Sequence, residues 1–418
     1  MLFRELLIEE LNARRRDFAV FAENWHDELA DYLQLLAELS KMTSDGVRRK
    51  LGKKENVGAS PSNELDYNES LTVRFEPRWH NHEEARRWAL NVLQNRTTFA
   101  ADASQILPGR DISLPVAAVQ VGTFENPHTS NGDYKKAAKF VLIPPNELLQ
   151  GEGDDEKPIN AETVVGLRRF AAEVEAVKEF LSRQQGWRER GERMPLAFFD
   201  GTLLVSISLP RTKIQERFIT QTVELVRLSE ETEVPLVGFV DHSYARDIIN
   251  LLDELNSANI RDNTGSRNLL HKERTTLYDA QLLNAKPENG ARALQFWGDR
   301  TIFNRCQRHG LSDYLSGASG TSLIGFVYLQ TTSDGIPARL DVPSWIYKSG
   351  LLDELVDAVR AECVIGLGYP YALETADATA VITSRDREMF LRALQEFSAR
   401  ENLNFTVANK RISKARRR

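Results

Sequence analysis

Phe99-Ala-Ala-Asp-Ala-Ser-Gln-Ile106 and Leu196-Ala-Phe-Phe-Asp-Gly-Thr-Leu-Leu-Val205 decide how this chain is read. Each is an apolar run of strand length that meets an aspartate followed by a small residue and then a hydroxyl residue: Asp102-Ala-Ser and Asp200-Gly-Thr. A carboxylate at the end of a buried strand is partly desolvated, which raises its pKa unless a cation or hydrogen-bond donors stabilise the charge. A divalent ion that prefers hard oxygen ligands, Mg²⁺ or Mn²⁺, supplies that stabilisation. The commoner fate of a single Asp-Gly is to shape a turn, and the residues alone leave both readings standing.

Outward from the first run, Val116-Ala-Ala-Val-Gln-Val-Gly122 and Lys139-Phe-Val-Leu-Ile143 are two further strand-length runs, and the three are expected as antiparallel neighbours. A long helix is predicted over 160–185, then the Leu196 strand, a helix over 213–230, the strand Pro235-Leu-Val-Gly-Phe-Val240 and a helix over 245–255. Strands over 323–330 and 338–342 are expected to pair across the turn at Ser333-Asp-Gly-Ile336. Helices over 351–363 and 386–400 enclose a Gly/Pro/Tyr-rich loop. Strand and helix in succession imply a mixed α/β domain. Ahead of it, Leu7, Leu11, Phe18, Phe21, Trp25, Leu29, Leu33 and Leu36 recur at helical spacing, and the polar stretch 42–68 reads as a linker or loop. The expected division is an N-terminal helical segment with linker (1–95), one α/β domain (96–400) and a basic tail (401–418).

With 418 residues, 41% hydrophobic, the chain can bury one large core or two modest ones. Its apolar runs fall far short of the roughly 20 residues of a membrane helix, and the start lacks a secretory pattern, so a cytoplasmic protein is expected. Cys306 and Cys363 are too few for a disulfide framework or a Cys-rich zinc site. Net charge is -6, so any nucleic-acid site must be a local basic region. Lys410, Arg411, Lys414, Arg416, Arg417 and Arg418 form a cationic tail that reads equally as a solvated end or a phosphate contact.

Six short strings, taken in order, carry a family resemblance. They are Asp102-Ala-Ser-Gln-Ile106, Arg168-Arg-Phe-Ala-Ala-Glu-Val-Glu175, Phe199-Asp-Gly-Thr-Leu-Leu204, Val237-Gly-Phe-Val-Asp-His-Ser-Tyr-Ala-Arg-Asp247, Ala338-Arg-Leu-Asp-Val-Pro-Ser-Trp-Ile346 and Gly368-Tyr-Pro-Tyr-Ala-Leu373. Their order and spacing, from about Phe99 to Leu394, resemble NurA, a family of nucleases partnered with the HerA hexameric DNA translocase.

The resemblance implies an RNase H-like mixed β-sheet flanked by helices, whose site gathers a first Asp, a helical Glu, a second Asp, and a Tyr and His near the C-terminus. Asp102 and Asp200 match the two aspartates and Tyr369 matches the tyrosine. The glutamate is Glu173 or Glu175; Phe170, Val174, Val177 and Leu181 mark the buried stripe, and at ~100° per residue Glu173 borders it whereas Glu175 points away. Glu173 is therefore chosen. Two positions depart from the pattern: Asp377 stands eight residues after the tyrosine, where the family carries His, and Ala103 replaces a Gly. A carboxylate can ligate a metal but cannot serve as a neutral imidazole, so either the site accepts Asp377, or another group such as His242 substitutes, or activity is reduced.

What the resemblance implies for function is hydrolysis of phosphodiester bonds in single-stranded DNA and DNA ends, with 5'-3' exonuclease and endonuclease action, assisted by Mn²⁺ or Mg²⁺ held by Asp102, Glu173, Asp200 and Asp377. Tyr369 would position a phosphate or the attacking water. Asp241, Ser243, Arg246, Arg168 and Arg169 are candidate DNA contacts, each with an ordinary structural alternative as a helix cap or an ion pair. A homodimer docked on a HerA-type ATPase, acting in end resection or anti-phage defence, completes the expectation. The alternatives are a non-catalytic DNA-binding or ATPase-regulating subunit that keeps the fold, and an RNase H-like enzyme acting on RNA or hybrids.

Overall fold

A computed structural model describes residues 3–68, 71–109, 112–149, 160–205, 212–262, 275–287, 290–308, 310–316 and 321–406. The chain opens with helices α1 (Arg4–Ala13), α2 (Arg15–Leu39) and α3 (Ser44–Leu51), strand β1 (Gly58–Pro61), helix α4 (Glu64–Tyr67), strand β2 (Thr72–Val73) and helix α5 (His82–Leu93). Strands β3 (Thr98–Ile106), β4 (Ala117–Asn126) and β5 (Lys135–Ile143) follow, then α6 (Pro145–Leu149) and α7 (Ala161–Gln184). After them come β6 (Leu196–Asp200), α8 (Lys213–Thr232), β7 (Leu236–Val240), α9 (Asp247–Asp262) and α10 (Asp279–Asn284). The last elements are β8 (Arg300–Thr301), β9 (Asn304–Gln307), β10 (Ile324–Leu329), β11 (Ala338–Pro343), α11 (Ser344–Lys348), α12 (Leu352–Ile365), α13 (Tyr371–Ala380) and α14 (Ser384–Arg400).

These elements form two compact units, one of residues 1–77, 240–311 and 315–340, the other of 78–239, 312–314 and 341–418. The first unit takes its strands from two distant stretches of the chain, 58–73 and 300–329. β1 pairs antiparallel with β9, Gly58 opposite Gln307 and Pro61 opposite Asn304, and β9 in turn pairs with β10. The stretch 42–68 is therefore not a linker. It carries α3, whose start Thr43 caps by accepting the Gly46 N–H at 3.1 Å, and a four-residue strand buried along its whole length.

The second unit holds the five-stranded order β7-β6-β3-β4-β5. β3, β4 and β5 pair antiparallel, while β6 lies parallel to β3 and β7 parallel to β6, which is the RNase H-like mixed arrangement. α7 starts after Asn160, whose side chain accepts the Thr163 N–H at 2.8 Å. It packs on the face carrying Phe99 and Phe199: Phe180 stacks on Phe99 at 4.6 Å, and Phe170 meets Phe199 edge-on at 5.8 Å. α8 lies beside α7 through Phe218 and Phe170. α12 and α13 cover the opposite face, where Thr98 bonds Glu362 at 2.8 Å. The segment expected as a Gly/Pro/Tyr-rich loop contains α13, an alanine-rich helix that buries Ala372, Leu373, Thr375, Ala376 and Ala380.

The basic tail Lys410 to Arg418 and the acidic stretch 152–156 lie outside the described residues. Among the described residues no helix is long and apolar enough to cross a membrane.

Candidate active site

In the β3/β6 ladder Ala101 stands opposite Phe199, and the next residues along the two parallel strands are Asp102 and Asp200. Residues at matching positions of neighbouring strands point to the same face, with backbones about 4.8 Å apart. The two aspartates thus share the face opposite α7, Asp200 at the end of β6 and Asp102 midway along β3 where its pairing with β6 ends. β6 stops there because Gly201 adopts φ +107°, a conformation that favours glycine, and its N–H bonds the Phe239 carbonyl at 2.9 Å. The strand expected to run on to Val205 ends five residues early for this reason.

Gly122 faces Asp102 across the β3/β4 ladder. A Cβ at Gly122 would fall 2.4 Å from the Ala380 nitrogen and 2.7 Å from the Ala376 oxygen. The missing side chain lets α13 lie directly on the sheet, and α13 brings the exposed Asp377 to Asp102, close enough for the two carboxyls to share a hydrogen bond. Tyr369, just before α13, donates its hydroxyl to Asp200 Oδ1 at 3.2 Å and sets its ring edge-on against Phe239 at 5.2 Å.

Glu173 comes from the other side of the sheet. It is 8% exposed on α7, whereas Glu175 is exposed to solvent. Its carboxyl accepts the Ala103 N–H and lies within the electrostatic influence of Asp102 and Asp200. Arg169, one turn earlier, lies 3.8 Å from Glu173 and donates to the Ala103 carbonyl at 3.3 Å.

Burial pushes Glu173 up to about 7, with Arg169 opposing and Asp102 and Asp200 adding to the rise. Asp102 is raised by burial and by the charges of Asp200 and Asp377, partly offset by the Ala103 N–H. Asp200 is open to solvent as a residue, yet the crowding around its carboxyl raises it, with the Tyr369 hydroxyl and Arg169 pulling the other way and Asp377 adding to the rise. Four acids therefore share one locus, with Arg169 beside Glu173.

Their donor set is oxygen throughout, the chemistry Mg²⁺ and Mn²⁺ favour. Among the described residues no three such side chains already stand at metal-binding spacing.

Two residues that shape this site escape a reading of the sequence. Gly122 acts through a contact 254 to 258 positions away, at Ala376 and Ala380. Asp341, fully buried on β11, accepts the Thr202 hydroxyl at 2.6 Å and the Leu203 N–H at 3.1 Å. Its string Ala338-Arg-Leu-Asp-Val342 belongs to the family resemblance and reads as a strand, but nothing in it assigns Asp341 to the site.

The candidate DNA contacts are dispersed. Arg168 pairs with Glu147 at 2.5 Å on the flank of α7 that faces a groove of about 500 Å³ lined by Ala137, Lys139, Ala171, Ala172 and Glu175. Asp241, Ser243 and Arg246 belong to the first unit. There Asp241 contacts His242 at 3.1 Å, Ser243 accepts the Ala245 N–H at 3.3 Å, and Arg246 lies over the Tyr278 ring at 5.2 Å.

A mixed sheet with carboxylates clustered on two adjacent parallel strands defines an α/β protein with an acidic candidate site. The NurA domain model matches residues 96–382, and the chain belongs to the NurA family. No curated protein matches it. Among solved structures, the catalytic domain of human endonuclease V is 14% identical, with 75% of this chain and 96% of that one covered at a TM-score of 0.29. A NurA crystallised with manganese is 11% identical, covering 75% of this chain and 94% of that one at 0.33. A NurA bound to dAMP and manganese is 12% identical, covering 75% and 92% at 0.34.

Proposed function

We propose that this chain is a divalent-metal-dependent deoxyribonuclease that hydrolyses phosphodiester bonds of single-stranded DNA and DNA ends. The observation that carries the reading is the register of Asp102 beside Asp200, with Asp377 and Glu173 closing in from opposite faces of the sheet. Like charges so close disfavour one another, and a bound cation is what relieves them.

Asp102, Glu173, Asp200 and Asp377 would hold Mn²⁺ or Mg²⁺. When bound, such ions activate water and stabilise the charge of a leaving oxygen. The chain's own groups do the positioning. Tyr369 fixes one oxygen of Asp200 and leaves the other free to bind. Arg169 steers Glu173 and ties α7 to the end of β3. Arg169 is also the site's own cation for a phosphate, while Arg168 would contact DNA only by leaving Glu147.

Family membership supports a homodimer working in the cytoplasm with a HerA-type hexameric ATPase, in end resection or anti-phage defence, with 5'-3' exonuclease and endonuclease action. One observation favours a second reading, a weakened nuclease that serves as a DNA-binding or ATPase-regulating subunit: a carboxylate, Asp377, occupies the family's histidine position.

The test is degradation of single-stranded and blunt-ended DNA by the purified chain with Mn²⁺ or Mg²⁺, and its arrest by EDTA. DNA binding without cleavage under every metal tried would favour the second reading.

A further inference from the structure

We infer that Asp341 is a positioning residue for the site, acting through the turn that follows Asp200. This rests on the function proposed above. The turn is held from three directions. The Gly201 N–H bonds the Phe239 carbonyl at 2.9 Å. Gly238 leaves room for it, since a Cβ there would lie 2.7 Å from the Gly201 oxygen and 2.9 Å from Leu203 Cγ. Asp341 Oδ2 takes both the Thr202 hydroxyl and the Leu203 N–H.

The Thr202 oxygen also accepts the Leu204 N–H at 3.0 Å, so this one hydroxyl links the buried carboxylate to the rest of the turn. Valine has the shape of threonine and can make neither bond. Asp341 is fully buried while Thr202 is exposed, so the carboxylate is an anchor in the interior and the turn is what it holds. Tyr369 fixes the Asp200 side chain and Asp341 fixes the backbone just after it. A ligand held at only one of these points can swing, and a ligand that swings loses affinity and rate.

Supporting residues behind metal ligands change affinity or activity by about 10- to 100-fold when removed. Thr202→Val in the full chain should lower kcat on single-stranded DNA with Mn²⁺ by about that factor, leave KM unchanged and keep the melting temperature near that of the wild type. Thr202→Ser should recover most of the loss. In metal-free protein, Thr202→Val and Asp341→Ala should both speed amide hydrogen exchange across residues 201–204.

A Thr202→Val variant with wild-type kcat overturns the inference, as does unchanged exchange in both variants. If Asp341→Ala does not fold, Thr202→Val alone decides. A wild-type chain without nuclease activity under any metal overturns the functional reading, and this inference with it; an active wild type beside unaffected variants overturns this inference alone.

Discussion

Two groups of carboxylates in this molecule meet opposite fates. In the first unit Asp247 is buried between Arg308, at 2.6 Å, and Arg339, also at 2.6 Å. Burial alone would push its pKa up, but the two guanidiniums hold it below the usual carboxylate range. Beside it Asp279 is raised to about 6 by burial and by the Asp247 charge, while it accepts the N–H groups of Asp247, Ile248 and Ile249 at the start of α9. In the second unit Asp102, Asp200 and Glu173 are all raised, chiefly by burial, with Arg169 opposing the rise at Asp200 and Glu173. Asp247 carries its compensation with it. Under the proposed function, the candidate site would leave that compensation to a cation that arrives from outside.

The comparison breaks most sharply at Asp200. Asp200→Asn should lower Mn²⁺-dependent cleavage by more than about 1,000-fold while circular dichroism and melting stay native, because the lost charge serves a ligand and not the fold. Wild-type turnover in that variant removes the assignment. Asp247→Ala should do the reverse. It removes the carboxylate between the buried Arg339 and the half-buried Arg308 and should cost about 3–5 kcal/mol in chemical denaturation. A loss below 1 kcal/mol would mean that the two groups of acids do not differ in kind.

The pH dependence of stability sharpens the contrast further. Glu173 and Glu362 each sit at about 7 in the folded protein against an ordinary 4.5, in both cases chiefly through burial. Below 4.5 both states are protonated and no cost arises. Between 4.5 and 7 the unfolded chain ionises first, so stability falls as pH rises, and above 7 the loss levels off. For the fully buried Glu362 the loss is about 3 kcal/mol, since each pH unit of displacement is worth about 1.4 kcal/mol. Denaturation midpoints from pH 4.5 to 8 should show the decline, Glu362→Gln should flatten it, and Mn²⁺ should relieve the part due to Glu173. A flat wild-type profile refutes this account. The smallest effect belongs to Tyr369→Phe, which removes one bond to Asp200 and should slow cleavage roughly 10-fold with little change in stability.

Much of the second unit is legible in sequence because its signals are local. The runs 99–106, 116–122 and 196–200 are apolar and strand-sized; Asp102 lies within the first and Asp200 ends the last. The face of α7 that carries Glu173 follows from its neighbours at helical spacing. What escapes the sequence is whatever depends on distant partners. Gly58-Ala-Ser-Pro61 has neither alternation nor bulk and becomes a strand only because residues 304–307 lie beside it. α13 is masked by the flanking Gly368 and Pro370, which read as a loop, although four alanines among its ten residues give it high helix propensity. Asp341 and Gly122 do their work across the sheet, through contacts that no spacing along the chain reveals.

The bare α-carbon at position 122 also sets the tolerance of the whole locus. One methyl group there would act as a wedge under α13. It would tilt Asp377, and the segment bearing Tyr369, off the strand ends while every oxygen ligand kept its chemical identity. The gap between a working centre and a scattered set of acids is thus about the thickness of one carbon atom.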